Sequence, residues 1–261
     1  MNEHIPLAAT EQQVAAVYDA LHDARSLTSL AAQLYAEAMG DAYPHEVDAS
    51  SSCDWPLLGT LVSRLRLGPG QRLIDLGCGT GGVGLWLSRA LSVHLTGIDI
   101  SPSAIALATR RTNMFVPPGQ AEFHVATMEA TDLPDARADG IICVDAFGFT
   151  PDRIAALRET HRILRPGGRA VLTSGGRHTH PAAPSWPERA AAAGMELEAE
   201  EERPHEPAMW RRLYQLWIEH EADLRGELGE QQAESMLTEA RTRLPTLANR
   251  RSAIVTLRRP R

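Results

Sequence analysis

Leu73-Ile-Asp-Leu-Gly-Cys-Gly-Thr-Gly-Gly-Val-Gly84 decides how this chain is read. An apolar run carrying one acid, Asp75, passes into clustered glycines, and an apolar helical pattern follows. That order spells a strand, a tight loop and a helix N-terminus, where backbone can come close to a cofactor. Two glycine patterns coexist. Gly79, Gly81 and Gly84 satisfy G-x-G-x-x-G, with Asp99 twenty residues beyond Gly79, which is the dinucleotide fingerprint. Gly77, Gly79 and Gly81 satisfy G-x-G-x-G, with Asp75 two residues before the first glycine.

Outward from the loop, short apolar runs alternate with helical periods. Strands are expected at 71–76, 94–100, 121–126, 140–146 and 168–174, and helices at 82–91, 102–111 and 151–164. Such alternation implies a mainly parallel sheet covered on both faces. A sixth strand is expected near 196–202 and a seventh at 252–257, with helical pattern between them. In that insertion Trp210, Leu213, Tyr214, Trp217 and Leu224 form one stripe, and Ala233, Met236, Leu237, Ala240 and Leu244 another. Near the start, 11–38 reads as helical, with Val14, Val17, Tyr18 and Leu21 on one face, and Leu27, Leu30, Ala31 and Leu34 likewise. Ser52 or Asp54 can cap the next helix, which has Pro56 in its first turn.

The composition is that of a soluble globular chain. A net charge of −7 argues against nucleic acid as the main partner, because phosphate binding needs clustered cations. The arginines near the C-terminus read as a solvated tail. Every strong cation is an arginine, which excludes lysine Schiff-base and P-loop chemistry in this chain. Cys53, Cys78 and Cys143 lack metal-ligand spacing, so no metal site is expected and the thiols read as reduced in a cytoplasmic protein. No apolar run approaches the ~20 residues that span a bilayer, so no membrane partner is expected.

Asp75 helps to separate the two glycine patterns. A carboxylate late in the first strand is unfavourable beside a pyrophosphate and favourable beside a sulfonium or ammonium group. Asp99, ending the second strand, suits a ribose diol, which either cofactor would offer. Here a resemblance enters. Asp75-Leu-Gly-Cys-Gly-Thr-Gly81, Gly97-Ile-Asp-Ile-Ser101, Leu133-Pro-Asp135 and Leu164-Arg-Pro-Gly-Gly168 resemble the class I S-adenosylmethionine-dependent methyltransferases over about residues 55–175. The resemblance implies a Rossmann-like, mainly parallel seven-stranded α/β sheet with helices on both faces. It implies that Gly77, Gly79 and Gly81 form the loop under S-adenosylmethionine, with Asp75 at its base. Asp99 would hold the ribose and Ile100 would pack on the adenine. The family often places an acid after the third strand; here Thr127 and Met128 hold that place, with Glu129 as the alternative. The Tyr43-Pro44 pair, the Ser51-Ser52 pair and Trp55 resemble bacterial natural-product small-molecule methyltransferases, whose preceding loop helps to enclose the cofactor; plain packing is the alternative for Tyr43 and Trp55.

The acceptor is written more faintly. Ligands of open α/β sheets lie beyond the carboxyl ends of the strands. Asp145 stands there after the fourth strand, to contact the acceptor or cap the next turn. The glycine-bearing segment 174–181 follows the fifth strand and carries His178 and His180, candidate general bases or exposed loop histidines. His161 reads as a core histidine, and nothing in spacing singles out His22, His45 or His205. The aromatic stripe at 210–217 is either core or the lining of a pocket for a flat acceptor. Glu196–Glu202 alternates as a solvated strand face. The expected organisation is an N-terminal helical lid and cofactor-covering loop (1–54), a cofactor-binding core (55–204), a helical substrate cap (205–250), and a last strand with tail (251–261). The expected activity is methyl transfer to a small, aromatic or hydrophobic, natural-product-like molecule, with carbon, nitrogen and oxygen acceptors open. The rivals are a non-methylating cyclase or regulator of the same fold, and a nicotinamide oxidoreductase.

Overall fold

The computed structural model describes residues 9–177 and 184–261. Its strands are β1 (Arg72–Leu76), β2 (His94–Asp99), β3 (Ala121–Val125), β4 (Ala138–Cys143), β5 (Leu164–Arg177), β6 (Glu196–Glu202) and β7 (Arg250–Arg258). They form one sheet in the order β3-β2-β1-β4-β5-β7-β6. The pairs β1–β2, β1–β4, β2–β3 and β4–β5 are parallel, and β7 runs antiparallel to both β5 and β6. The mainly parallel seven-stranded sheet is as the sequence implied. Chain progression reverses between β1 and β4, so a crevice is due at their carboxyl ends.

Successive residues of a strand point to opposite faces, and the central strands are apolar on both. Leu73, Leu95, Ile142 and Val171 face one core, shared with α3 (Trp55–Leu65), α4 (Gly82–Leu91) and α5 (Pro102–Phe115). Ile74, Ile98, Ile141 and Leu172 face the other, shared with α6 (Arg153–Ile163) and α7 (Trp186–Ala192). Asp54, not Ser52, caps α3: its Oδ1 accepts from Leu57 N–H at 2.8 Å.

A third core lies away from the sheet. The N-terminal helices are α1 (Ala9–Ser26) and α2 (Leu30–Met39); the insertion before β7 holds α8 (Glu206–Glu219), α9 (Glu221–Leu228) and α10 (Glu230–Arg243). Leu30, Leu34 and Tyr35 of α2 pack with Leu213, Tyr214 and Trp217 of α8 and with Met236 and Leu237 of α10. The aromatic stripe is thus largely spent in joining two sequence-distant segments. Tyr35 meets Trp210 and Trp217 edge-on, both at 6.3 Å between ring centroids.

Several expectations change. The helix expected over 11–38 is two helices, and Leu27 between them is 84% exposed. Thr28 Oγ1 accepts the Leu30 N–H, which starts α2 afresh. Val14 and Val17 face outward, 47% and 64% exposed, because α1 turns Asp19 and His22 toward the start of α5 and the glycine loop instead. Helix α7 was not anticipated; Ser185 opens it with a capping box to Glu188, and Trp186 packs on Phe147 at 5.7 Å. His161 is half-buried rather than core.

Joining α2 to α8 and α10 predicts coupled stability. Leu213→Ala should cost roughly 2–5 kcal/mol in urea unfolding. Hydrogen exchange should quicken in α2, α8 and α10 together while the β1 and β4 amides hold. Loss of protection in α8 alone would refute a shared core.

Candidate functional site

The glycine loop sits where the sheet order predicts, between β1 and α4. Gly77, Gly79 and Gly81 all have positive φ (70°, 51° and 77°), which side chains resist. Gly84 is helical, and its role is different: a Cβ there would lie 2.7 Å from Asp75 Oδ2. The loop is therefore built on Gly77, Gly79 and Gly81. Gly77 is also pressed between Ala146 and Met128, so nothing larger fits.

Asp99 joins this loop to the next one. Its Oδ2 accepts the Gly79 N–H at 2.7 Å, and its Oδ1 accepts the Ser101 N–H at 3.0 Å. Ser101 in turn caps α5 by accepting from Ala104 N–H. Ile100 is half-buried beside it. Asp75 lies beneath the loop, 3% exposed, and accepts a hydrogen bond from Gly84 N–H. Burial, seconded by the Asp99 charge, pushes its pKa up to about 7. Its carboxylate therefore serves the start of α4 as well as the charge of the site.

After β3, Thr127 Oγ1 accepts from Ala130 N–H and closes a turn, while Met128 reaches the underside of Gly77. Glu129 accepts from the Thr150 hydroxyl. The loop before α3 folds over the start of α4. Tyr43 is buried and donates to Asp48 at 3.1 Å, and the Val47 carbonyl sits against Gly82. Arg111 ties the two loops, donating to the Val47 carbonyl at 2.8 Å and to Thr80 Oγ1 at 2.9 Å. Trp55 is not brought to the loop: it is 41% exposed and packs edge-on against Trp86.

Asp145, beyond β4, holds a left-handed φ of 55°, a strained conformation for a non-glycine residue. Both carboxylate oxygens are engaged, one by Ser52 N–H at 2.6 Å and the other by the Thr173 hydroxyl at 2.8 Å. Arg203 donates to the Ser52 carbonyl and hydroxyl, completing the anchorage of the covering loop. The bonds of Asp145 are neither of the two roles foreseen for it: they tie the loop before α3 to β5 and do not cap the next turn, whose N-cap Ala146 has no side-chain bond. His178 and His180 lie outside the described residues.

Spacing did not single out α1, yet its polar face covers the site. Asp19 accepts from the Ser101 hydroxyl and from Ser103 N–H, docking α1 on the start of α5. One turn on, the His22 ring approaches Gly79, 3.8 Å from where a Cβ would stand. Burial lowers its pKa, against the pull of Asp99. Tyr18 packs edge-on against Phe149, and its phenol pKa is raised by burial and then by Asp99 and Glu239. The signal was present as polar residues at positions 18, 22 and 25, one helical face. An open groove of about 510 Å³ lies along α10, lined by Ser235, Thr238, Glu239, Thr242, Arg243 and Thr246. Among the described residues no cluster could hold a metal ion, and no helix is long and apolar enough to cross a membrane.

The raised pKa of Asp75 has a signed consequence. Its contribution to folding is full below the unfolded value near ~4 and is lost as pH rises through about 7. Asp75→Asn should flatten the fall in Tm of the cofactor-free protein between pH 5 and 8. Parallel Tm curves for the two proteins would contradict the burial of this carboxylate.

Known proteins resemble this chain in sequence and in fold. A family profile described as a methyltransferase domain matches residues 73–168. The O-methyltransferase rstn1 of Aspergillus nomiae is 33% identical over 171 residues, covering 64% of this chain and 72% of that protein. The 27-O-demethylrifamycin SV methyltransferase of Amycolatopsis mediterranei is 30% identical over 164 residues, 62% of this chain and 58% of its own length. In fold, the [4+2]-cyclase SpnF superposes with a TM-score of 0.75 at 22% identity, covering 99% of both chains.

Proposed function

The chain belongs to the class I S-adenosylmethionine-dependent methyltransferases, and from that premise we propose that it methylates an oxygen of a small, natural-product-like molecule. Its cofactor is S-adenosylmethionine. The observation that carries the reading is the Asp99 clamp: one carboxylate fixes both loops of the cofactor cradle at 2.7 and 3.0 Å and stays half-buried at its mouth. The two relatives that are O-methyltransferases by name or by described substrate support oxygen as the methylated atom.

When bound, S-adenosylmethionine supplies a methyl group already activated on a sulfonium. The side-chain-free backbone at Gly77, Gly79 and Gly81 gives that group close approach. Asp99 accepts from the ribose hydroxyls, and Ile100, Thr127 and Met128 border the adenine. Asp75 places negative charge under the cationic end, and its pKa falls back when a cation arrives. The loop bearing Tyr43, held by Arg111 and Asp145, closes one side. Helix α1 closes the other with Tyr18 and His22. We assign residues 1–54 as lid and 205–250 as substrate cap, locked together through their shared core. Most of the barrier reduction then comes from positioning, which can supply ~7–11 kcal/mol. A hydroxyl acceptor also loses a proton, and His22, His178 and His180 are the candidate bases.

Asp99→Ala should weaken S-adenosylhomocysteine binding about tenfold or more in calorimetry, the loss of hydrogen bonds to a charged group. An unchanged Kd would remove the ribose role. Of His22→Ala, His178→Ala and His180→Ala, one should lose ~10²–10⁴ in kcat with cofactor affinity kept. Full turnover in all three would leave positioning as the whole mechanism. The methyl-transfer reading itself is tested by incubating protein and cofactor with a panel of phenols, polyketide alcohols and macrolides. S-adenosylhomocysteine and a product heavier by one methylene support it. Tight cofactor binding with no S-adenosylhomocysteine across the panel would instead favour a cyclase or regulator of this fold.

A further inference from the structure

Two buried side-chain polar atoms have no hydrogen-bond partner among the described residues: Arg25 Nε and Trp217 Nε1. Both are donors. They come from helices far apart in the chain, α1 and α8, yet both stand beside one residue of α2. Arg25 hydrogen-bonds with the Tyr35 side chain, and the Trp217 ring lies 6.3 Å from the Tyr35 ring. A buried donor left unmet costs ~1–3 kcal/mol, and a guanidinium more. Two such costs at one junction, in the seam between lid and cap, point to an oxygen that arrives from outside.

Neighbouring carboxylates have partners of their own. Glu239 accepts from Tyr214 at 3.0 Å and pairs with Arg243 at 3.4 Å. Asp145 is held by Ser52 and Thr173. Glu206 takes Arg250 and the Trp210 indole. The junction also adjoins the groove along α10 and the glycine loop. Glu239 lines the open groove along α10 and bonds Tyr214, whose ring lies 5.4 Å from Trp217. On the other side, Arg25 lies one turn beyond His22, which approaches Gly79. Arg25 is half-buried and Trp217 fully buried, so the junction opens on the Arg25 side.

We propose that the lid–cap junction at Tyr35 is the acceptor's recognition subsite, and that it takes a carbonyl-type oxygen, of a ketone, ester or carboxylate, on Arg25 Nε and Trp217 Nε1. The word acceptor rests on the methyl-transfer reading; the subsite's affinity does not. Beside this subsite Tyr35 and Trp210 pack edge-on at 6.3 Å, and Trp210 and Tyr214 lie 5.5 Å apart.

The test is binding to the protein saturated with S-adenosylhomocysteine, using three phenols of similar size: 4-ethylphenol, 4-hydroxyacetophenone and 4-hydroxybenzoate. Calorimetry should give the ketone and the acid at least about tenfold tighter binding than the ethyl compound, roughly one hydrogen bond to a charged group. Their order separates a plain hydrogen bond from a charge pair. Arg25→Met should erase the difference while leaving S-adenosylhomocysteine affinity unchanged. Because Arg25→Met also removes the hydrogen bond to Tyr35, the second variant is Trp217→Phe, which takes away the indole donor: it should weaken the carbonyl preference with S-adenosylhomocysteine affinity kept, and a preference left in full would overturn the proposal. So would equal affinity for the three phenols, undetectable binding of both carbonyl compounds, or a preference that survives in Arg25→Met. A carbonyl preference with no methylated product would uphold the subsite and count against the methyl-transfer reading alone.

Discussion

The carboxylate of Asp99 holds the site together. It ends β2, and parallel pairing with β1 sets it beside the glycine loop. One oxygen takes the Gly79 N–H and the other takes the Ser101 N–H. Charge-assisted bonds of this kind are the strong ones, and here they fix two loops that come from adjacent strands. Ser101 then caps α5 and donates to Asp19 of α1. A single anion thus sets the glycine loop and, through Ser101, the docking of α1.

The remainder of the site is organised around that clamp by long-range bonds. Asp145 links the covering loop to β5 through Ser52 and Thr173, and its strained backbone persists because both partners hold it. Arg111 links the same loop to Thr80 in the glycine turn. Helix α2 and the helical insertion before β7 share a core of their own, so under the proposed function closure over the cofactor and the shape of the acceptor space are mechanically connected. Chemistry that depends on alignment benefits from such coupling.

The sheet was legible in the sequence because its strands are short apolar runs divided by glycine turns and amphipathic helices. The choice between two glycine patterns was also legible, through Asp75, although the carboxylate proves to serve Gly84 as well. Helix α1 was misread for a physical reason. Apolar periodicity assumes that a helix buries its greasy face, but α1 covers a polar site and buries Asp19 and His22 contacts while Val14 and Val17 face water. The role of Asp145 could not be read, because Ser52 stands 93 residues before it and Thr173 28 residues after it. The aromatic stripe was visible, but only the fold shows that its partner is Tyr35 of α2.

The central claim is that α1 and the glycine loop close as one unit on the cofactor through the Asp99–Ser101–Asp19 chain. Hydrogen exchange with and without saturating S-adenosylhomocysteine tests it most directly. The account predicts that amides of 12–26 and of 77–81 gain protection together, and that Asp19→Ala uncouples them. Protection of the glycine loop with exchange in α1 unchanged would contradict it.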